Sequence, residues 1–273
     1  MFRGFYTVAS GMLAQQRRTE MLTNNMSNVN TPGFKADQTS LRAFPEMLLQ
    51  RFDKQKIPTE KGLNLPFNKQ IGSLSKGVYM QEAMPFFKQG DIKETGLDTD
   101  VALIDIALPE NAYFFYTIEG TNGNTQYTRN GNFSLDWKGF LTTASGLYVL
   151  SDTGNRIQLS SDQFTIDENG VVVGEGGETA RIGIGFSENA NSLIKLGDGL
   201  YRTEDGNALA NAYNVENALF KLQQGHIERS NVDAGRTMTE MLSAYRAFEA
   251  NQKVLQAYDR SMDKAANEIG RIG

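Results

Sequence analysis

The chain has 273 residues, 40% of them hydrophobic and 22% charged, which suits one large globular domain or two modest ones with a real core. Its net charge of −5 gives no clustered basic face for nucleic acid, and no run approaches the roughly 20 apolar residues that span a bilayer. The absence of cysteine excludes disulfides, thiolate metal sites and thiol nucleophiles, and 27 glycines against 6 prolines point to tight turns between short strands.

Residues 1–34 are helical in period. Met1, Phe5, Val8, Met12, Gln15, Thr19, Leu22, Met26 and Val29 step alternately by four and three, the spacing of a coiled-coil seam with a polar middle. The segment around Phe5–Leu13 has neither the continuous apolar core nor the small-x-small site of a secretory leader, so it reads as a retained helix. Asn30-Thr31-Pro32-Gly33 ends it, because proline and glycine break helices.

Residues 35–89 read as an extended connector. Within it Leu41–Phe52 suggests a short helix, and Asp53–Gly77 is polar with little core of its own. Residues 90–215 read as all-β. Pairs such as Asn122-Gly123, Asn130-Gly131, Lys138-Gly139, Ser145-Gly146 and Asn169-Gly170 punctuate strand-like runs at Ala112–Ile118, Leu147–Leu150, Gln163–Ile166, Val171–Val173 and Ile182–Phe186. The strands are too short and too closely spaced for βαβ units.

Residues 216–273 read as the C-terminal assembly helix, packing with 1–34, with its helical period running from 233 to 270. Met238, Met241, Tyr245, Phe248, Gln252, Leu255, Asp259, Met262, Ala266 and Ile269 again step by three and four. A lone amphipathic helix is marginal in water, so both ends need partners. The fold class is α+β: N- and C-terminal helices paired as a coiled-coil-like stalk, with a central all-β domain of short hairpins. The candidate assembly interface is Phe5, Val8, Met12, Leu22, Met26 and Val29 at one end, and Met238, Met241, Tyr245, Phe248, Leu255, Met262 and Ile269 at the other.

Catalytic signals are sparse. The single histidine, His226, has no nucleophile motif beside it and reads as structural. There is no Walker loop, no dinucleotide fingerprint and no nucleophile elbow; Gly170–Gly177 reads as a hairpin turn. Asp98, Asp100 and Asp105 are close enough in sequence to suggest a glycosidase pair or a cation site, but a turn followed by a strand entry explains them more simply. Arg129, within Tyr127-Thr128-Arg129-Asn130-Gly131, reads as a brace for its hairpin. No catalytic residue, cofactor or metal site is expected.

Three blocks carry a resemblance. The run Asn24-Asn25-Met26-Ser27-Asn28-Val29-Asn30-Thr31-Pro32-Gly33-Phe34-Lys35 resembles the N-terminal signature of bacterial flagellar rod and hook proteins. Gly90–Gly96, Tyr127–Phe133 and Gly139–Thr142 resemble that family's β-domain signature, and Glu228-Arg229-Ser230-Asn231-Val232-Asp233 with Tyr245–Lys253 its C-terminal helix. Together they cover about 200 residues, in family order. The resemblance implies an axial, non-enzymatic subunit of the basal-body rod that self-assembles helically into a tube, transmits torque and lines an export channel. It implies partnership with itself, with other rod and hook proteins and with the flagellar type III export apparatus, and a place in the basal body reached without leader cleavage or membrane insertion. The competing expectations are a secreted carbohydrate- or wall-binding β protein and a non-flagellar filament subunit.

Overall fold

Both terminal helices have an apolar stripe of the width that a neighbouring element covers. The structure, a computed structural model, describes residues 2–56, 64–121 and 123–268. In chain order it contains helix α1 (Phe2–Ser27), then β1 (Asp37–Gln38), β2 (Leu41–Ala43), β3 (Met47–Lys56), β4 (Asn64–Leu74), β5 (Val78–Met80) and β6 (Met84–Pro85). There follow β7 (Ile92–Glu94), β8 (Val101–Ala107), β9 (Tyr113–Glu119), β10 (Thr125–Thr128), β11 (Phe133–Leu135), β12 (Leu141–Thr143), β13 (Phe164–Ile166), β14 (Val171–Gly174) and β15 (Thr179–Arg181). The last elements are β16 (Ile184–Ser187), β17 (Leu193–Gly197), β18 (Leu200–Thr203), β19 (Ala210–Asn211), β20 (Leu219–Gln224), β21 (His226–Glu228) and helix α2 (Ala234–Glu268). The expected class, helix–β–helix, is what the chain adopts. Among the described residues no helix is long and apolar enough to cross a membrane.

The chain divides into two compact units. One comprises residues 1–23, 39–83 and 238–273. Its helices run side by side in opposite directions: a Cβ on Gly4 would strike the Tyr258 hydroxyl, one on Gly11 would lie 3.3 Å from Asn251 Nδ2, and Arg18 pairs with Glu240 at 3.5 Å. The glycines therefore bring α1 close to its neighbour. A second face of α1 meets the turn before β5: the Thr7 hydroxyl donates to Lys76 O, and Ser10 Oγ accepts from Val78 N at 3.3 Å.

This unit corrects two expectations. Leu41–Phe52 is not a helix: β2 pairs with β5, and β3 pairs with β4 in a long antiparallel ribbon. Much of the expected extended connector is thus paired β-ribbon: Met47, Leu48 and Leu49 lie opposite Leu74, Ser73 and Gly72 instead of lining one helical face. Residues 57–63, part of the same expected connector, lie outside the described residues.

The second unit comprises residues 24–38 and 84–237. Its centre is a six-stranded antiparallel sheet in the order β17-β18-β10-β9-β16-β19. Strand β9 shows why it is central. Phe114, Tyr116 and Ile118 point into one cluster with Leu141, Val149 and Ile182, while Phe115 points into another with Phe87 and Tyr201. A strand buried on both faces reads as a continuous apolar run, as Tyr113–Ile118 does. Most of the expected Gly turns hold, with φ between +72° and +83° at Gly139, Gly146, Gly154, Gly170 and Gly199. Gly131 is different: it has ordinary φ, and glycine is required there because a Cβ would strike Val101 O. Ahead of α2, residues 219–228 are strands β20 and β21 rather than helix, pairing with β8 and β7.

Candidate functional site: the chain ends and a buried ionic junction

The inward stripe of α2 follows Thr237, Met241, Ala244, Phe248, Asn251, Leu255, Tyr258 and Met262, all buried or half-buried. The sequence period was right in spacing, but its register is displaced by one residue at alternate positions. Met241, Phe248, Leu255 and Met262 turn inward and are half-buried. Met238 and Tyr245 are 52% and 53% exposed, and Gln252 and Asp259 also face solvent. On α1, Leu22 is buried, and Phe5, Val8, Met12, Met26 and Val29 are half-buried. Gly4, Gly11 and Asn25 take stripe positions that apolarity alone assigns to their neighbours. Ile269 lies outside the described residues.

The motif blocks of the sequence meet inside the second unit. Glu228 ends β21 with its side chain 2% exposed. Its Oε1 accepts from Lys35 Nζ at 2.6 Å and from Gly90 N at 2.8 Å. Its Oε2 accepts from Arg129 Nε at 2.6 Å. Arg129, fully buried, donates further to Phe114 O, Leu103 O and Asp105 Oδ2 at 2.7, 2.9 and 2.8 Å. Lys35 Nζ also reaches Lys88 O at 2.9 Å. Two cations and two carboxylates thus balance in a site where an unpaired charge would be very costly.

The electrostatics follow from burial. Desolvation lowers the Lys35 ammonium below the ordinary lysine range despite Glu228 beside it. Burial also raises the Asp105 carboxyl against the pull of Arg129, and its Oδ1 has no hydrogen-bond partner among the described residues. For Glu228 burial pushes upward, but Arg129 and Lys35 together outweigh it and hold the carboxyl below its usual range.

Backbone bonds complete the junction. Gly33 N donates to Glu228 O at 2.8 Å, and at φ +67° a Cβ on Gly33 would lie 2.5 Å from the Arg129 carbonyl. Asn231 Oδ1 accepts from Ala36 N at 2.8 Å, while its Nδ2 donates to Phe86 O and Lys88 O. Asn25 makes a reciprocal pair with the Asp37 backbone, both bonds 2.9 Å, and Asp37 holds Lys195 through both carboxylate oxygens. Segments 24–38 and 226–233, far apart in sequence, are thereby fastened to each other.

This extends the reading of Arg129. It ties its hairpin through Phe114 O on β9, but it also neutralises Glu228 and Asp105, which the sequence reading did not foresee. The aspartate group separates as well: Asp100 accepts from Asn132 Nδ2 at 2.7 Å, Asp105 pairs with Arg129, and Asp98 is exposed. His226 lies on β21, ahead of α2, held by Gln223 and the Gln224 carbonyl.

Three family profiles match in the same order as the motifs. They are "Flagella basal body rod protein" over residues 5–35, "Flagellar hook protein FlgE/F/G D1 domain" over 110–174, and "Flagellar basal body rod FlgEFG protein C-terminal" over 223–268. The flagellar hook-basal body complex protein FlhO of Bacillus subtilis is 46% identical over the whole length of both chains. The chain belongs to the flagellar basal-body rod and hook family. The basal-body rod protein FlgG of Borreliella burgdorferi is 32% identical over 98% of each chain, and FlgG of Bacillus subtilis is 32% identical over 98% and 99%. This rod and hook family is structural, not enzymatic. The profile at each end includes one half of the junction: Lys35 in the first, Glu228 and Asn231 in the last.

Proposed function

We propose that this structural member of the basal-body rod family is an axial subunit whose copies stack helically into a hollow rod. The observation that carries the reading is the pair of terminal helices, which share one unit although they lie at opposite ends of the chain and leave apolar side chains exposed. The helices pair as a coiled-coil-like stalk, and the stalk supplies the contacts between copies. A contact between two different surfaces of identical copies does not close, and it generates an open tube. Such a tube transmits torque and lines an export channel. The chain reaches it through the flagellar type III apparatus, uncleaved, and meets other rod and hook proteins at its two ends.

A deletion in the source bacterium tests this. Cells without the chain should lack hook and filament, and re-expression should restore them. Normal hooks in the deletion strain would refute the reading.

A further inference from the structure

Within the helical unit, α1 and the strands beside it enclose an apolar groove of about 920 Å³. Its walls are Tyr6 and Leu13 from α1 and Phe44, Met47 and Leu74 from the β2–β5 region, and Arg3 and Lys76 stand at its rim. Four of these apolar side chains are exposed, from 39% at Phe44 to 66% at Tyr6. Along the outer face of α2 runs a complementary stripe, Met238, Leu242 and Tyr245, exposed by 52%, 47% and 53%. Its steps of four and three are those of a helix that lays i, i+4 and i+7 anchors into a groove. The next position on that face is Glu249, and among the described residues Arg3, Lys76 and Glu249 form no ion pair with the rest of the chain.

The stripe cannot fill the groove of its own chain. The groove lies along α1 residues 3–13, where α1 runs beside Asn251 and Tyr258. The stripe lies where α2 runs beside Arg18 and Thr23, which touch Glu240 and Met241. Groove and stripe are thus about 12 residues apart along the helix pair, roughly 18 Å at 1.5 Å per residue.

We infer that the groove receives the Met238–Leu242–Tyr245 stripe of a second copy, with Glu249 of that copy meeting the Arg3–Lys76 rim. Two different surfaces displaced along the helix pair make a head-to-tail contact that repeats instead of closing. The inference rests on the self-assembly reading and specifies which surfaces meet.

The absence of native cysteine allows a clean test. Full-length chains bearing Leu13→Cys and Leu242→Cys, both at exposed positions, are mixed under assembling conditions, oxidised and examined by gel and electron microscopy. A disulfide needs Cα atoms within about 7 Å, so it reports direct apposition. The expected result is a mixed dimer several-fold more abundant than with either chain alone or with Arg17→Cys in place of Leu13→Cys, and weakened by Glu249→Lys. Polymers that form without that mixed dimer would overturn the groove assignment while leaving self-assembly intact. A chain that forms no polymer would overturn both.

Discussion

Glu228 is shared by both buried cations, so its removal isolates two charges at once. Breaking a buried pair from one side costs about 3–5 kcal/mol, and Glu228→Gln should lose stability of that order in urea unfolding followed by circular dichroism. The pH dependence has a defined sign. The folded carboxyl of Glu228 titrates below its ordinary value of 4.5, so its contribution is present above that pH and is lost as pH falls through the folded value. Asp105 has the opposite sign: burial raises it, so its ionised form opposes folding and acidification relieves the cost. Glu228→Gln should therefore flatten the acid limb of the stability profile, whereas Asp105→Asn should leave it as steep or make it steeper. Gly33→Ala should cost at least about 1–2 kcal/mol from the left-handed backbone alone, with more from the clash against Arg129, measured by the same unfolding curves. None of these roles was legible in the sequence. Lys35, Arg129 and Glu228 each sit within a recognisable block, but separations of 99 and 193 residues between partners carry no local pattern.

At the scale of elements, helix spacing was legible and helix register was not. Neighbouring residues on a helix point about 100° apart, so an apolar stripe and the one beside it score alike. The contact positions at Gly4, Gly11 and Ala244 are small, and apolarity passes over them in favour of Phe5, Met12 and Tyr245. What selects glycine there is close approach, which only the partner reveals. The register has a measurable consequence. Ala244, 2% exposed, should not tolerate Ala244→Asp without loss of helical signal and a lower unfolding midpoint. Met238→Asp, at an exposed position, should leave the stability of the isolated chain within about 0.5 kcal/mol and instead impair assembly. The β3–β4 ribbon was missed for a related reason. A two-stranded ribbon has no buried face of its own to impose alternation, so Met47–Leu49 looked like part of a helix. By contrast β9 and the glycine turns were readable, since a strand buried on both faces and a left-handed turn each leave a local mark.

On the scale of the whole molecule, the chain places its two ends together twice, once as paired helices and once as segments 24–38 and 226–233 tied through Glu228 and Asn231. A subunit made this way cannot finish its junction until its last strand has arrived, since Lys35, Gly33 N and Ala36 N all find their partners at 228–231. The proposed place of the chain as an axial subunit of the rod underlies all of these expectations. Electron cryomicroscopy of basal bodies purified from the wild type and from the deletion strain tests that most directly. Rod density that accommodates stacked copies of this chain, missing together with hook and filament in the deletion strain, is the expected result. Identical rods carrying normal hooks in both strains would contradict it.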